Sequence, residues 1–519
     1  MTASPAELRQ PQWRHDAPAA VVVFLVALPL CLGVALASGA PLFAGIIAGV
    51  VGGLVVAPLS GSALMVSGPA AGLTAIVLAA ITQLGDYRAF LTAVVLGGLI
   101  QLGLAAVRAG IIGLYFPAAV IKGMLSAIGL VLILKQLPHA VGYDADAMGD
   151  ETFRQANAEN TFSGLGHALD ALEPGAVLIA LLSLVLLFGW GATPLARMRL
   201  LPAPLAVVAL GVGVNAVFPA LLPAWTLAPT HLVQLPVPSD AAALAAQFAF
   251  PAWEALANPV VWRVGVTLGI VASLETLLSL EATDKMDPYR REAPPNRELF
   301  AQGIGNAVSG LLGGLPVTGV IVRSAANVNA GARTRWSAIL HGVLLAVAVL
   351  AIPRMLNLVP LAALAAILLH TGWKLAHPAI LRGMVRLGRS QWVPYVVTVT
   401  AILMTDLLVG IAIGMTVGVF IILRETLRNP PFSVVSPSGA VLTRWQLHDH
   451  VNFLHKAALL EALHALPEGA RLEVDGRATR RFDADALDAL HAFEETARLR
   501  RIDYRLVAIP PRPVAAGAH

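Results

Sequence analysis

The chain has 519 residues, 57% of them hydrophobic and only 13% charged, with a formal net charge of +4 and a mean hydropathy of +0.75. Soluble domains carry roughly twice that charged fraction, so a soluble globular protein is excluded. No basic stripe with interleaved aromatics describes a nucleic-acid surface, and the single Cys31 excludes a disulfide framework.

Residues 1–16 read as a cytoplasmic N-terminus that carries Arg9 and Arg14. No cleavage-site pattern follows a short apolar region, so the first apolar run is read as a retained span and not as a signal peptide. Spans are expected at about 17–38, 41–60, 66–83, 90–107, 110–136, 174–190, 203–221, 263–283, 298–312, 317–331, 336–353, 358–373, 391–406 and 407–424, about fourteen in all. Loop charge tests that count. Arg108, Arg197 with Arg199, Lys285 to Arg297, Arg333 with Arg335, Lys374 to Arg389, and Arg424 with Arg428 all fall on the side of the N-terminus, whereas the acidic 138–173 loop falls opposite. This reading makes an all-α polytopic protein of the inner (plasma) membrane with both termini cytoplasmic.

Two spans are interrupted. "LMVSGPAAGLTAIVLAAI", 64–81, and "GGLPVTGVIVRSAANVNAGARTR", 313–335, each have an extended lead-in, a Pro break, small residues and then helix. Pro69 and Pro316 fit the first turn of a helix, and Ser67 and Thr318 can cap exposed amides. Irregular backbone inside a bilayer is tolerated only where it lines protein or a polar cavity. Paired interrupted segments in corresponding positions of two halves mark a transporter's midplane site. They are the third and the tenth spans, seven apart. The transmembrane domain, 17–426, is therefore read as two seven-span repeats of inverted topology, about 17–221 and 263–426. Two helix N-termini aimed at one cavity make an anion site without side-chain charge.

Arg323 lies about a turn and a half into the second half-helix, where it adds positive potential to that cavity; the alternative is a side chain that snorkels or packs against a carbonyl. In the eighth span, "VGVTLGIVASLETLLSLEATDKMD" carries Glu275 in mid-membrane and Glu281 at a solvated helix end. A proton on Glu275 and an anion beside it favour one another by linkage, which is a basis for symport. The other reading keeps Glu275 ionised against Arg323 or a Na⁺. Pro29 marks a kink in the first span, and Gln101 an interhelical hydrogen bond or a cavity wall. No His, Cys, Asp or Glu cluster has ligand spacing and no phosphate-binding loop occurs, so no metal, no cofactor and no enzyme activity are expected.

Composition changes after about Pro430. "RLEV" and "YRLVAI" are strand-like, Asp483 or Asp485 starts a helix with Leu487, Leu490 and Phe493 on its apolar face, and "HVNFLHKAALLEALHAL" is a second helix. Residues 431–510 are read as a small cytoplasmic α/β domain and 511–519 as a tail.

The segments "VSGPAAGLTAIV", "SLETLLSLEATDK" and "LFAQGIGNAVSGLLGGLPVTGVIVRSAANVNAGARTR", with the final soluble segment, resemble the SulP (sulfate permease, solute carrier 26) family along nearly the whole chain. The resemblance implies anion transport by a seven-plus-seven inverted repeat shared with uracil permeases, a core domain moving against a gate domain like an elevator, a cytoplasmic STAS domain and a homodimer. It implies an anion held near Ser67, Gly68, Ala70, Ala71 and Gly72 and near Val317, Thr318, Gly319 and Val320, with Arg323 at the family's basic position and Glu275 at its coupling position. The chain is most similar to short bacterial members that include BicA-type Na⁺/bicarbonate transporters, and it departs from their pattern. Glu275 stands for Asp, Ser279 for Thr, Ala70 for Thr, and Ile321 for a Thr that ligates Na⁺. These departures favour proton coupling or uncoupled exchange over Na⁺ symport. Asp483, Ala484 and Asp485 occupy the region where phosphoregulated STAS relatives carry Ser or Thr, so a scaffolding or dimer-stabilising role is expected there.

The expected function is secondary-active transport of sulfate, bicarbonate or a small dicarboxylate. An anion channel and a membrane sensor are the competing classes, and a nucleobase permease would want carboxylates beside the half-helices.

Overall fold

The computed structural model describes residues 12–69, 71–146, 148, 153, 160–193, 201–238, 240–428, 431–435 and 442–511. Contacts divide the chain into two compact units at Met415/Thr416.

The first unit opens with α1 (Trp13–Ala37), which carries Pro18 and Pro29 inside the helix, and α2 (Leu42–Val51), which runs through a π turn into α3 (Ala57–Leu59). A short strand, β1 (Ser67–Pro69), leads through a 3₁₀ turn into α4 (Thr74–Leu84). α5 (Tyr87–Ala106), α6 (Ala118–Val141), α7 (Thr161–Asp170), α8 (Pro174–Gly189) and α9 (Ala203–Leu221) complete the first half. After α10 (Ala241–Ala245), the second half contains α11 (Pro259–Met286), α12 (Pro295–Leu312), β2 (Val317–Gly319), α13 (Ile321–Asn329), α14 (Trp336–Ala351) and α15 (Pro353–Leu356). It ends with α16 (Leu361–Leu375), α17 (Pro378–Arg386), α18 (Arg389–Met404) and α19 (Leu407–Arg428). Among the described residues, eight helices are long and apolar enough to cross a bilayer. The β1–α4 and β2–α13 segments are the third and tenth apolar segments of the chain, as read from the sequence.

Apolar faces sort these helices into two bundles. α5 lies along α11 and α12, and α1 along α14; α6 lies along α16 and α18, and α8 along α16. The core is made of Val, Leu, Ile and Ala, among them Leu28, Ile121 and Leu368, with few large aromatics such as Phe24 and Phe90. Such side chains let helices approach closely, and van der Waals packing, not expulsion of water, drives helix association in lipid.

Polar groups tie the irregular connections. Asp16, with no exposed surface, accepts hydrogen bonds from the amides of Arg333 (2.9 Å) and Thr334 (3.0 Å) and from Thr334 Oγ1 (2.6 Å). The "GARTR" turn is thereby pinned to the start of α1. In the acidic 138–173 loop, Asp144 shares hydrogen bonds with His139 Nδ1 (2.5 Å) and His231 Nδ1 (2.6 Å), and Asp146 pairs with Lys135 at 2.9 Å. That cluster joins Asp144 to a histidine 87 positions away and has no signal in spacing. Among the described residues no group of three His, Cys, Asp or Glu could hold a metal ion.

The second unit contains a sheet ordered β3 (Phe432–Val434), β4 (Leu442–Leu447), β6 (Arg471–Asp475) and β8 (Asp503–Val507). β3 is antiparallel to β4, and the other two pairs are parallel. A second pair joins β5 (His450–Val451) to β7 (Arg481–Phe482). The stretch read as one long helix from His450 instead begins as β5 and a 3₁₀ turn, with helix confined to α20 (Lys456–His464), because Asn452 caps the turn through the amide of Leu454. α21 (Ala484–Leu499) starts where expected, with the Asp483 carboxylate accepting from the amide of Asp485 at 3.0 Å. Leu487, Leu490 and Phe493 are buried, and Phe432 stacks on Trp445 at 3.8 Å between centroids. Burial pushes the Tyr504 phenol above its ordinary range, and its hydroxyl donates to Leu490 O at 3.2 Å.

Candidate functional site

The two interrupted segments meet. β1 and β2 pair antiparallel, Ser67 opposite Gly319, Gly68 opposite Thr318 and Pro69 opposite Val317. Because the strands run oppositely and each feeds a helix at its C-terminal end, α4 and α13 leave the ribbon in opposite directions. Pro69 and Pro316 are therefore not in first helical turns: Pro69 ends β1 and Pro316 precedes β2, in the extended backbone that a Pro φ also permits.

The expected caps are not made either. Ser67 Oγ accepts from Gln302 Nε2 at 2.7 Å, and Thr318 Oγ1 lies against Gly319 O at 3.4 Å; neither α4 nor α13 has a side-chain cap. Pairing across the ribbon turns both hydroxyls away from the helix ends. The amides of Val317, Gly319 and Val320 are also engaged within the protein, by Asn306 Oδ1 (2.6 Å), Thr276 Oγ1 (3.3 Å) and Val66 O (2.9 Å). The first amide of α13 to close on a carbonyl is that of Ser324, on Val320 O. The donors this side offers a ligand are accordingly the first-turn amides of Ile321, Val322 and Arg323. On the facing side Ala71 and Gly72 form the turn before α4, and Ala70 lies outside the described residues.

Arg323 does not snorkel but packs against a carbonyl, the other half of the alternative reading. Its side chain is fully buried, lies against the backbone of Gly68 and donates from Nη2 to Pro69 O at 3.4 Å. A Cβ at residue 68 would fall 2.1 Å from Nη1, so a larger residue there has to displace the guanidinium. The Cys31 thiol and His341 are its other neighbours, and among the described residues it has no carboxylate partner. Buried charges are ordinarily paired, and this cation instead reaches from the first turn of α13 onto the backbone of β1.

α11 runs past both half-helices. Glu275 is 5% exposed, and a Cβ on Gly72 would sit 2.8 Å from its Oε1, so the carboxylate touches the turn that opens α4. Thr276 holds Gly319, and Ser279, 1% exposed, lies beside Gly319 on the same face. Glu281 pairs with Lys285 at 3.0 Å, as expected of a solvated helix end. A cavity of about 250 Å³ opens beside Ala71 and Gly72, walled opposite by Ile128 and Val131 of α6 and by Ile402 and Asp406.

One helix was underread. Glu298, Gln302 and Asn306 are four residues apart on α12, a polar stripe on one helical face that the spacing itself would have revealed. All three are buried. Glu298 Oε2 accepts from Ser60 Oγ and the amide of Gly61, Glu298 Oε1 accepts from Gln302 Nε2 at 3.1 Å, and the same Nε2 holds Ser67. Asn306 pairs with both the amide and the carbonyl of Val317 (2.6 and 2.8 Å) and donates to Gln101 Oε1 at 2.6 Å, so Gln101 bonds between helices. This stripe substitutes for the sheet partners that a two-stranded ribbon lacks. Asn306→Leu strands three buried groups, each costing about 1–3 kcal/mol when unpaired. We expect the purified variant to lose about 3 kcal/mol of stability or more, read as a lower melting temperature in detergent; a shift below that of a conservative surface substitution would contradict the bracing role.

A ribbon-linked pair of oppositely directed half-helices, held in a polytopic helical bundle, defines the inverted-repeat class of membrane transporters. The chain matches the description of the sulfate permease family over residues 13–398 and belongs to that family. It is 25% identical to the putative sulfate transporter YvdB of Bacillus subtilis, over 80% of this chain and 74% of that one. It is 24% identical to the bicarbonate transporter BicA of a Picosynechococcus species, over 78% and 69% of the two chains. Among solved structures it is similar to the transmembrane domain of a cyanobacterial BicA (TM-score 0.53, 23% identity, 78% of this chain and 97% of that one). It is also similar to SLC26A9 (TM-score 0.65, 14% identity, 96% and 84%). The fold is thus that of the SulP/SLC26 transporters, and the chain is a multi-pass anion transporter and not an enzyme.

Proposed function

We propose that this chain is a secondary-active transporter of a small inorganic oxyanion, of the sulfate or bicarbonate class, coupled to protons through Glu275. The observation that carries the reading is Arg323: a fully buried guanidinium with no carboxylate partner among the described residues, beside the ribbon from which α4 and α13 diverge. A bound anion supplies the missing counter-charge, held by first-turn amides and helix dipoles. Arg323 acts through potential, since its side chain lies behind Gly68 and bonds Pro69 O.

Proton coupling is supported by the contact between Glu275 and the Gly72 turn. An anion at that turn and a negative carboxylate repel one another, so each proton taken up by Glu275 improves anion binding and each bound anion improves proton uptake. Na⁺ needs several oxygen ligands, and Ile321 gives none from its side chain. The α6–α16–α18 bundle is the gate against which the α5–α11–α12 bundle carries the anion, by an elevator movement. The chain sits in the plasma membrane with both termini cytoplasmic and works as a homodimer, with the C-terminal unit as scaffold.

Counterflow of labelled sulfate and labelled bicarbonate into proteoliposomes, with and without a pH or Na⁺ gradient, tests the reading. Uptake should follow the pH gradient and ignore Na⁺, and Arg323→Ala should weaken equilibrium anion affinity in a calorimetric titration. Unchanged affinity would return Arg323 to a structural role. Currents that saturate with neither counterflow nor pH dependence would favour a channel.

A further inference from the structure

We infer that Asp406 sets the charge selectivity of the anion cavity, disfavouring dianions relative to monoanions. This rests on the half-helix reading of the site. Asp406 lines the cavity that begins at Ala71 and Gly72, and every other residue lining that cavity is apolar. It is half-buried and makes no ion pair among the described residues.

Its position has a local cause. Asp406 precedes α19, its Oδ1 accepts from the amide of Val409 at 2.9 Å, and its carbonyl accepts from the amide of Gly410 at 3.0 Å. An N-cap needs only an oxygen acceptor, and Asn or Ser serves as well as Asp. The charge is therefore surplus to capping. A helix N-terminus carries roughly half a positive charge, so with Asp the α19 end presents a net negative wall to the cavity. With a neutral cap the same wall becomes positive, and it faces the α4 end across apolar side chains that screen little.

Repulsion from a fixed charge scales with the charge of the ion. A dianion is disfavoured twice as strongly as a monoanion in free energy, whereas shape and hydrogen bonding are untouched by a neutral cap. Across a cavity of this size, at an effective dielectric of about 20, one unit charge changes an equilibrium constant about tenfold. Removing it should therefore raise monoanion affinity about tenfold and dianion affinity about a hundredfold, an about tenfold change in their ratio.

The test is calorimetric titration of the purified full chain with sodium sulfate and, separately, sodium bicarbonate, for the wild type, Asp406→Asn and Asp406→Ser. Size-exclusion profiles identify any variant that fails to fold, and two neutral caps guard against losing one. The expected result is a sulfate-to-bicarbonate affinity ratio raised about tenfold in both folded variants. A ratio within twofold of the wild type, whether or not both affinities move together, overturns the inference and leaves Asp406 a cap. Gly72→Val separates the two levels of the argument. If it leaves anion affinity intact, or if the wild type binds neither anion, the half-helix reading fails and this inference with it. Failure of the Asp406 variants alone leaves that reading standing.

Discussion

Gly72→Val is expected to lower anion transport at least about 100-fold in a protein that still folds and inserts. The first atom a Cβ meets there is Glu275 Oε1, at 2.8 Å, with the carboxylate carbon at 3.2 Å and Oε2 at 3.4 Å. These atoms are the end of a flexible side chain, so the clash is relieved by turning the carboxylate aside, without moving backbone. Folding then changes little, but two functional relations fail together. Valine's methyl groups occupy the turn that presents amides to the anion, and Glu275 no longer touches that turn. A displacement of about 1 Å in a positioned group can cost about 100-fold in rate. Initial uptake in proteoliposomes, normalised to protein that elutes as a single species, measures the effect. Transport above a tenth of the wild-type rate would mean that the anion does not sit at this turn.

Glu275→Gln separates transport from coupling. The amide has the shape of the protonated acid and no charge, so anion affinity should match that of the proton-loaded wild type at every pH. The sign follows directly. Wild-type affinity rises as pH falls, because protonation removes a negative charge facing the bound anion; the variant's affinity is flat and stays at the acid-side level. Exchange of one anion for another needs no proton and persists. Accumulation against a gradient, driven only by protons, should fall to background. Asp406, on the wall of the cavity beside Gly72, is the charged group that remains there in the variant. A variant that still concentrates labelled anion under a pH gradient would remove Glu275 from the coupling step.

The sequence carried the fold a long way for a physical reason: lipid forbids unsatisfied backbone, so an apolar span must be a helix and an exception must be internal. The breaks at Gly68–Pro69 and Leu315–Pro316 were therefore legible as irregular internal backbone without any contact information, and the segments beside them pair as β1 and β2. Glu275 and Arg323 were legible because charge inside a span needs a reason. The polar stripe of Glu298, Gln302 and Asn306 is present in the four-residue spacing, and what it holds, the ribbon, lies on other segments. Asp144 between His139 and His231 had no local signal, since loops that far apart meet only once the bundles form.

What the amino-acid order determined by itself was the run of apolar spans and the two interrupted helices, which follow from helix period and transfer energies acting locally. Only the tertiary structure decided which of the polar groups in those segments are already engaged within the protein. Asn306, Thr276 and Val66 took up the amides of Val317, Gly319 and Val320, Gln302 took up the Ser67 hydroxyl, strand pairing placed Pro69 in β1, and packing turned Arg323 behind Gly68 and brought Glu275 against Gly72. Hydrogen-bond donors are spent on whichever partner the fold brings near, and a linear chain does not specify that partner.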